Sequence, residues 1–153
     1  MKNSNNQTER PSQHNKQDGW YLIFGCWLIV SVATLGSLFL DKALGIEPCS
    51  LCWYQRIFMY PLVVILLVGL LPLGRHVTRY ALPLAVFGWM TALYHLLMYA
   101  GIIPESLQPC GSGPSCVQDE LDLFGFVNIP MLSLLSFSAV ISLLLVFIKR
   151  TKQ

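Results

Sequence analysis

Four long apolar runs, set apart by shorter polar stretches, organise the chain: Trp20–Leu40, Trp53–Leu73, Tyr80–Ala100 and Pro130–Ile148. Each is about 19–21 residues long with few charges, and a helix of that length crosses a hydrocarbon layer roughly 30 Å thick. Lipid offers no water to backbone N–H and C=O groups, so an open chain can cross it only as helices that satisfy those groups internally. The pattern therefore predicts an all-α membrane protein, a four-transmembrane-helix bundle over residues 19–149. The first run is longer than a usual signal core, and no small-x-small cleavage site follows it before Asp41-Lys42, so it is read as a retained span. Residues 1–18 are polar and have almost nothing to bury, which predicts a disordered tail; residues 150–153 form a second short tail.

Composition supports the same class. Apolar residues make up 54% of the 153 and charged residues only 12%, roughly half the charge of an ordinary soluble domain. The net charge of +2 says little, but its placement sets an orientation. Lys2, Arg10, Lys16, Arg75, Arg79, Lys149, Arg150 and Lys152 put eight of the ten basic residues in the two tails and the middle connection. The other two connections hold Asp41, Glu47, Glu105, Asp119, Glu120 and Asp122, with Lys42 as their one basic residue. Because basic flanks stay on the cytoplasmic side, both termini are expected there, and the first and third connections on the opposite side. Nothing in the pattern points to nucleic acid.

The first of those outward connections runs from about Asp41 to Pro48, with Gly45 and Pro48 as helix breakers. Pro48 suits a first helical turn, where its missing N–H costs no bond. Within the second span, Pro61 leaves the carbonyl of Ile57 without its usual donor, as a tolerated kink or as a widened cleft for a ligand. The second outward connection, Gly101 to about Ile129, is long. Its front half, from Pro104 to Pro114, is rich in Pro, Gly and Ser and is expected to be mobile. In its back half Val117, Leu121 and Phe124 recur at helical spacing among Gln118, Asp119, Glu120 and Asp122, which predicts a short amphipathic helix on the membrane surface.

Both outward connections carry cysteines. Cys49-Ser50-Leu51-Cys52 opens the second span, its two cysteines about one turn apart on the same side, with Trp53 and Tyr54 fitting an interfacial aromatic belt. A bridge across so short a loop restrains the unfolded chain little, which argues against a purely structural role. Cysteines at a helix N-terminus lie beside unpaired N–H groups that favour thiolate, the species that attacks and leaves in disulfide exchange. Arg56, four residues beyond Cys52, adds a positive charge that either snorkels to the interface or polarises a bound carbonyl. Cys110 and Cys116, in the other outward connection, are either a structural bridge or a second reactive pair. His95, near the outward end of the third span, is either a helix-to-helix hydrogen-bonding residue or a donor to the same ligand. Cys26, near the cytoplasmic end of the first span, reads as inert packing.

At these residues the chain resembles the DsbB family of disulfide bond formation proteins, in particular its shorter Gram-positive branch, BdbC. The resemblance rests on Glu47-Pro48-Cys49-Ser50-Leu51-Cys52-Trp53-Tyr54-Gln55-Arg56, on Tyr94-His95, and on Cys110-Gly111-Ser112-Gly113-Pro114-Ser115-Cys116. Gly125-Phe126-Val127-Asn128-Ile129-Pro130-Met131, entering the fourth span, joins them, and the likeness covers about Trp20 to Ile148. It implies a membrane thiol-disulfide oxidoreductase. Cys110 and Cys116 would form the pair that reoxidises a thioredoxin-like extracytoplasmic oxidase of DsbA or BdbD type. Cys49 and Cys52 would receive the electrons, with Cys116 exchanging with Cys49 and Cys52 facing a membrane quinone. Arg56 and His95 would help hold that quinone. Resemblance to the Gram-positive branch implies menaquinone over ubiquinone, and no metal is implied.

Three other readings compete. A quinone reductase like vitamin K epoxide reductase is also a small helical bundle with Cys-x-x-Cys, but there the loop cysteines usually precede that pair, whereas here they follow it. A metal-binding membrane protein could use Cys49, Cys52 and His95, since soft thiolates hold zinc or copper(I) well, although an oxidising compartment works against it. In a purely structural subunit, disulfides would only brace the loops.

Overall fold

The structure, a computed structural model, describes residues 10–44, 49–71, 76–104, 107 and 129–151. These form four helices and, among the described residues, no strand: α1 (Arg10–Leu44), α2 (Ser50–Leu70), α3 (Val77–Tyr99) and α4 (Ile129–Thr151). All four are long and apolar enough to cross a membrane, over Gly19–Ala43, Ser50–Leu70, Val77–Tyr99 and Pro130–Thr151. Val32, Leu35 and Phe39 on α1, Ile57 and Val64 on α2, Phe87 and Met90 on α3, and Leu132 and Leu135 on α4 lie exposed. An outward apolar surface on every helix would be a liability in water and is the natural face toward lipid.

Each helix packs against the next, and α4 closes the ring against α1. The interior is a column of fully buried side chains, with Val30 from α1, Leu62 and Leu66 from α2, and Phe137, Val140 and Leu144 from α4. Lipid is as apolar as leucine, so helix association there relies on close packing and interhelical hydrogen bonds. Helix α3 supplies a stripe of small residues, Ala81, Ala85, Gly88 and Ala92, alternating four and three apart on its buried face. Gly88 is the tightest point: a Cβ there would overlap the Phe137 ring of α4. Trp89 Nε1–H donates to Ser138 Oγ at 2.9 Å and adds a polar tie between the same two helices. Gly88→Ala is expected to cost about 1–3 kcal/mol, because Phe137 is fully buried and has to move. Unfolding of the purified variant in mixed micelles measures it, and unchanged stability would mean that the α3–α4 contact is looser than described.

The helix ends differ from the hydropathy reading. Helix α1 begins at Arg10, so the tail expected to be disordered over residues 1–18 is helical from Arg10 onward. Pro11 falls in its first turn, where a missing N–H breaks no bond, and a helix continues beyond lipid depth once it has formed. At its other end α1 runs to Leu44, so Asp41 and Lys42 belong to its last turn and not to a connecting loop. The ion pair of Asp41 described below rewards that extension. Helix α2 starts at Ser50 with Cys49 as its N-cap, three residues before the expected span. Pro61 lies inside α2, which continues through it without a break. Helix α3 ends where Gly101 takes a positive φ of 73°, and the N–H groups of Gly101 and Ile102 then turn back onto the carbonyls of Met98 and Leu97. Pro48 and the predicted surface helix around Val117–Phe124 lie outside the described residues.

Candidate functional site

The C-terminal ends of α1 and α3 and the N-terminal end of α2 meet at one end of the bundle, and the chemistry-bearing residues of the described chain converge there. The N-cap position orients Cys49: its backbone is extended (φ −65°, ψ 167°), and its carbonyl accepts the first helical bond, from Trp53 N–H at 3.2 Å. Three residues along, Cys52 returns to the same side, and its Sγ lies 3.4 Å from Cys49 Sγ. The two thiols are not equivalent. Cys49 is fully buried, packed with Leu51 and Met98, whereas Cys52 is partly exposed.

His95 enters from α3. It follows Ala92 on the small-residue face, so the register that lets α3 approach its neighbours also aims the imidazole inward. Its Nε2 lies 3.8 Å from Cys49 Sγ, and its Nδ1 lies 3.1 Å from Gln55 Nε2. His95 is 1% exposed and Gln55 6%, so both ring nitrogens work in a medium where an unmatched polar group is costly. The helix-to-helix contact considered for His95 is thus present, directed at a cysteine and an amide of α2. Gln55 gained no role in the sequence reading beyond its place in a motif. Its signal was there: Cys52, Gln55, Met59, Leu62 and Leu66 alternate three and four apart along α2, and the last four are buried.

Arg56 faces the other way, toward α1. Its Nη1 donates to Asp41 Oδ2 at 3.1 Å and its Nη2 to the carbonyl of Ser37 at 3.0 Å. The guanidinium also lies 5.5 Å from the Trp53 ring centroid, a cation–π distance. Arg56 is 8% exposed, so it is held inside the α1–α2 seam and does not snorkel to the interface. Asp41, which the sequence offered only as a loop charge, is its counter-ion. Nearby, Tyr94 Oη donates to the Leu107 carbonyl at 3.0 Å, fastening the start of the long connection to α3 one residue from His95. Cys110 and Cys116 lie outside the described residues. Cys26 sits apart, fully buried, with its thiol 3.9 Å from the Val140 carbonyl.

Two sulfurs in near contact at a membrane helix N-terminus, one buried against an imidazole and the other partly open, define a multi-pass membrane protein built around a dithiol. Comparison with known proteins gives the same class. The family model described as disulfide bond formation protein DsbB matches residues 19–147. A probable disulfide formation protein of Metapseudomonas resinovorans is 46% identical over 132 residues, covering 86% of this chain and 91% of its own. Probable disulfide formation protein C 2 of Bacillus cereus is 41% identical, over 87% of this chain and 94% of its own. Disulfide bond formation protein C of Bacillus subtilis is 37% identical, over 78% and 86%. No solved structure gives a significant match. The chain belongs to the DsbB family and is a membrane protein of disulfide formation.

Proposed function

We propose that this chain reoxidises an extracytoplasmic thioredoxin-like thiol oxidase of DsbA or BdbD type and delivers the electrons to a membrane quinone. The observation that carries this is the 3.4 Å approach of Cys49 and Cys52 at the end of a membrane span, with only Cys52 partly exposed. A cysteine that has to meet a lipid-soluble acceptor needs an open face, and Cys52 has one. The distribution of basic residues supports an extracytoplasmic position for this end and cytoplasmic termini.

In the proposed relay a thiolate of the reduced partner attacks Cys110 and breaks the Cys110–Cys116 bond. The partner's second thiol then resolves the mixed disulfide, so the partner leaves oxidised and two electrons stay in the Cys110/Cys116 dithiol. Cys116 next attacks Cys49, which is fully buried at rest and has to be uncovered for this step, and Cys52 leaves as thiolate. Cys110 closes back onto Cys116, and Cys49 and Cys52 are left reduced. With Nδ1 accepting from the Gln55 amide, the proton of His95 sits on Nε2, facing Cys49 Sγ, where it can donate to that sulfur when it is anionic. A bound quinone supplies an acceptor for two electrons and two protons.

The residues at this end fit such a group. Arg56 has five N–H donors, of which Asp41 and Ser37 engage two. Among the described residues its other donors have no oxygen partner and would meet a quinone carbonyl, and the exposed faces of Trp53 and Tyr54 border the same turn. The proposed acceptor is a membrane quinone, menaquinone over ubiquinone by the resemblance to the Gram-positive branch. The test is anaerobic incubation of the purified chain with the reduced oxidase and a soluble quinone analogue, following quinol absorbance. No quinol formation with any quinone would sink the reading. Arg56→Ala is expected to raise the apparent KM for quinone roughly tenfold or more, the loss of one charge-assisted hydrogen bond of about 1.5–3 kcal/mol. An unchanged KM would remove Arg56 from the quinone site.

A further inference from the structure

The donor atoms gathered between α2 and α3 do more than carry electrons. We infer that the reduced chain binds one zinc ion through Cys49 Sγ, Cys52 Sγ and His95 Nε2, and that closing the Cys49–Cys52 disulfide expels it. This rests on reading the two cysteines as a pair that cycles between dithiol and disulfide.

Geometry is the first support. The three donor atoms all lie within 4.8 Å of one another, with sulfur to sulfur at 3.4 Å and Cys49 sulfur to nitrogen at 3.8 Å. A tetrahedral zinc with bonds of about 2.3 Å to sulfur and about 2.0–2.1 Å to nitrogen sets its donors roughly 3.6–3.8 Å apart. Two of the three edges are therefore close to the required length before any metal arrives. The third, from Cys52 sulfur to the imidazole, lies within 4.8 Å, on the side of the one sulfur that is only partly buried. Three protein ligands leave the fourth position to water, the pattern of an open zinc site.

Charge is the second. Arg56 is already paired with Asp41, so no uncompensated cation faces the site from that side. Two thiolates neutralise a divalent ion, whereas a monovalent one would leave a net negative charge at a buried position. That favours zinc over copper(I). Binding converts two thiols and Zn²⁺ into a zinc dithiolate and two protons. Oxidation by the quinone of the proposed relay removes two electrons from the sulfurs, forms the S–S bond and releases zinc with its oxidation state unchanged.

Gln55 supplies the third. A metal-bound imidazole donates its other N–H to a neighbouring acceptor, which fixes ring and tautomer. Gln55 already sits 3.1 Å from Nδ1, and turning its amide by half a rotation puts the oxygen there as that acceptor. Zinc held this way ties up both sulfurs in the reduced state and slows the relay, because the disulfide closes only as the ion leaves. The cation would thus act as a brake that works only on enzyme waiting to be reoxidised.

The test uses full-length protein in detergent, reduced anaerobically with a thiol-free phosphine and titrated with zinc against a chromophoric chelator. One equivalent is expected for the wild type and for a variant with Cys110→Ser and Cys116→Ser, and none after oxidation. Gln55→Leu should weaken binding about 10–100-fold and His95→Ala further still. Cobalt(II) in the wild type should give tetrahedral bands with sulfur charge transfer, a readout that does not depend on any variant folding. No one-to-one binding, equal binding to the oxidised protein, wild-type affinity in His95→Ala, or octahedral cobalt would each overturn the site. Quinone reduction by the same metal-free preparations separates the two ideas. Turnover without zinc binding removes the brake alone, and zinc binding without turnover removes the oxidoreductase alone.

Discussion

Cys52→Ser should bring quinone-dependent oxidation of the partner down to background while the protein stays inserted, and Cys49→Ser should do the same through a different failure. Either change removes one half of a sulfur pair held at 3.4 Å, so no disulfide can form at the end of α2. The remaining thiols differ, however. In Cys49→Ser the survivor is the partly exposed Cys52, in contact with its surroundings but without a resolving partner. In Cys52→Ser the survivor is Cys49, fully buried beside His95. With Cys26, Cys110 and Cys116 also changed to serine, a lipid-permeable alkylating reagent should therefore modify Cys52 rapidly and Cys49 slowly, since thiol reactivity follows access. Quinol formation and alkylation rates measure the two halves of this prediction. Appreciable turnover in either serine variant would remove the α2 pair from the electron path, and equal alkylation would remove the asymmetry on which the assignment of Cys52 rests.

The second large effect is expected at Asp41. Its carboxylate meets Arg56 at 3.1 Å, with the two side chains 18% and 10% exposed. Removing one member of such a pair leaves the other charge stranded at low dielectric, and Asp41→Ala should cost about 3 kcal/mol of stability. Removing both is much cheaper, because no lone charge remains. Asp41→Ala with Arg56→Leu should therefore be more stable than Asp41→Ala alone. Unfolding of the three variants in mixed micelles gives the comparison. A double variant no better than the single would show that Asp41 acts through something other than Arg56. The Ser37 carbonyl keeps Arg56 partly satisfied in the single variant, which sets the penalty at the lower end for a broken buried pair.

The fold was legible in the sequence because lipid imposes a length and a composition that few other structures share. Trp20–Leu40 and its three counterparts each overlap one of the four helices. They miss the helix ends because hydropathy reports where lipid begins, whereas a helix ends where its hydrogen bonds do. So α1 continues back to Arg10 through polar residues and forward to Leu44 past Asp41. The site was legible in part. Cysteine spacing and the helix N-terminus placed Cys49 and Cys52, and His95 was singled out as a polar residue in an apolar span. Its partners were not visible in the same way. Gln55 and Asp41 act by meeting residues 40 and 15 positions away, on other helices, and a single sequence carries no record of which faces of two helices touch. Heptad-like spacing brings Gln55 onto an inner face but cannot name the imidazole opposite. The roles given to Cys110 and Cys116 rest on the family resemblance and lie in a segment outside the described residues.

The Gly88–Phe137 contact limits how this bundle can move. A ring seated where a side chain is missing acts as a detent, so α3 and α4 cannot slip lengthwise past one another without lifting it out. The imidazole two turns further along α3 is thereby tied in depth to α4. Lengthwise adjustment at the sulfur end is therefore left to the Cys49 and Cys52 side chains and to α2, which this contact does not hold.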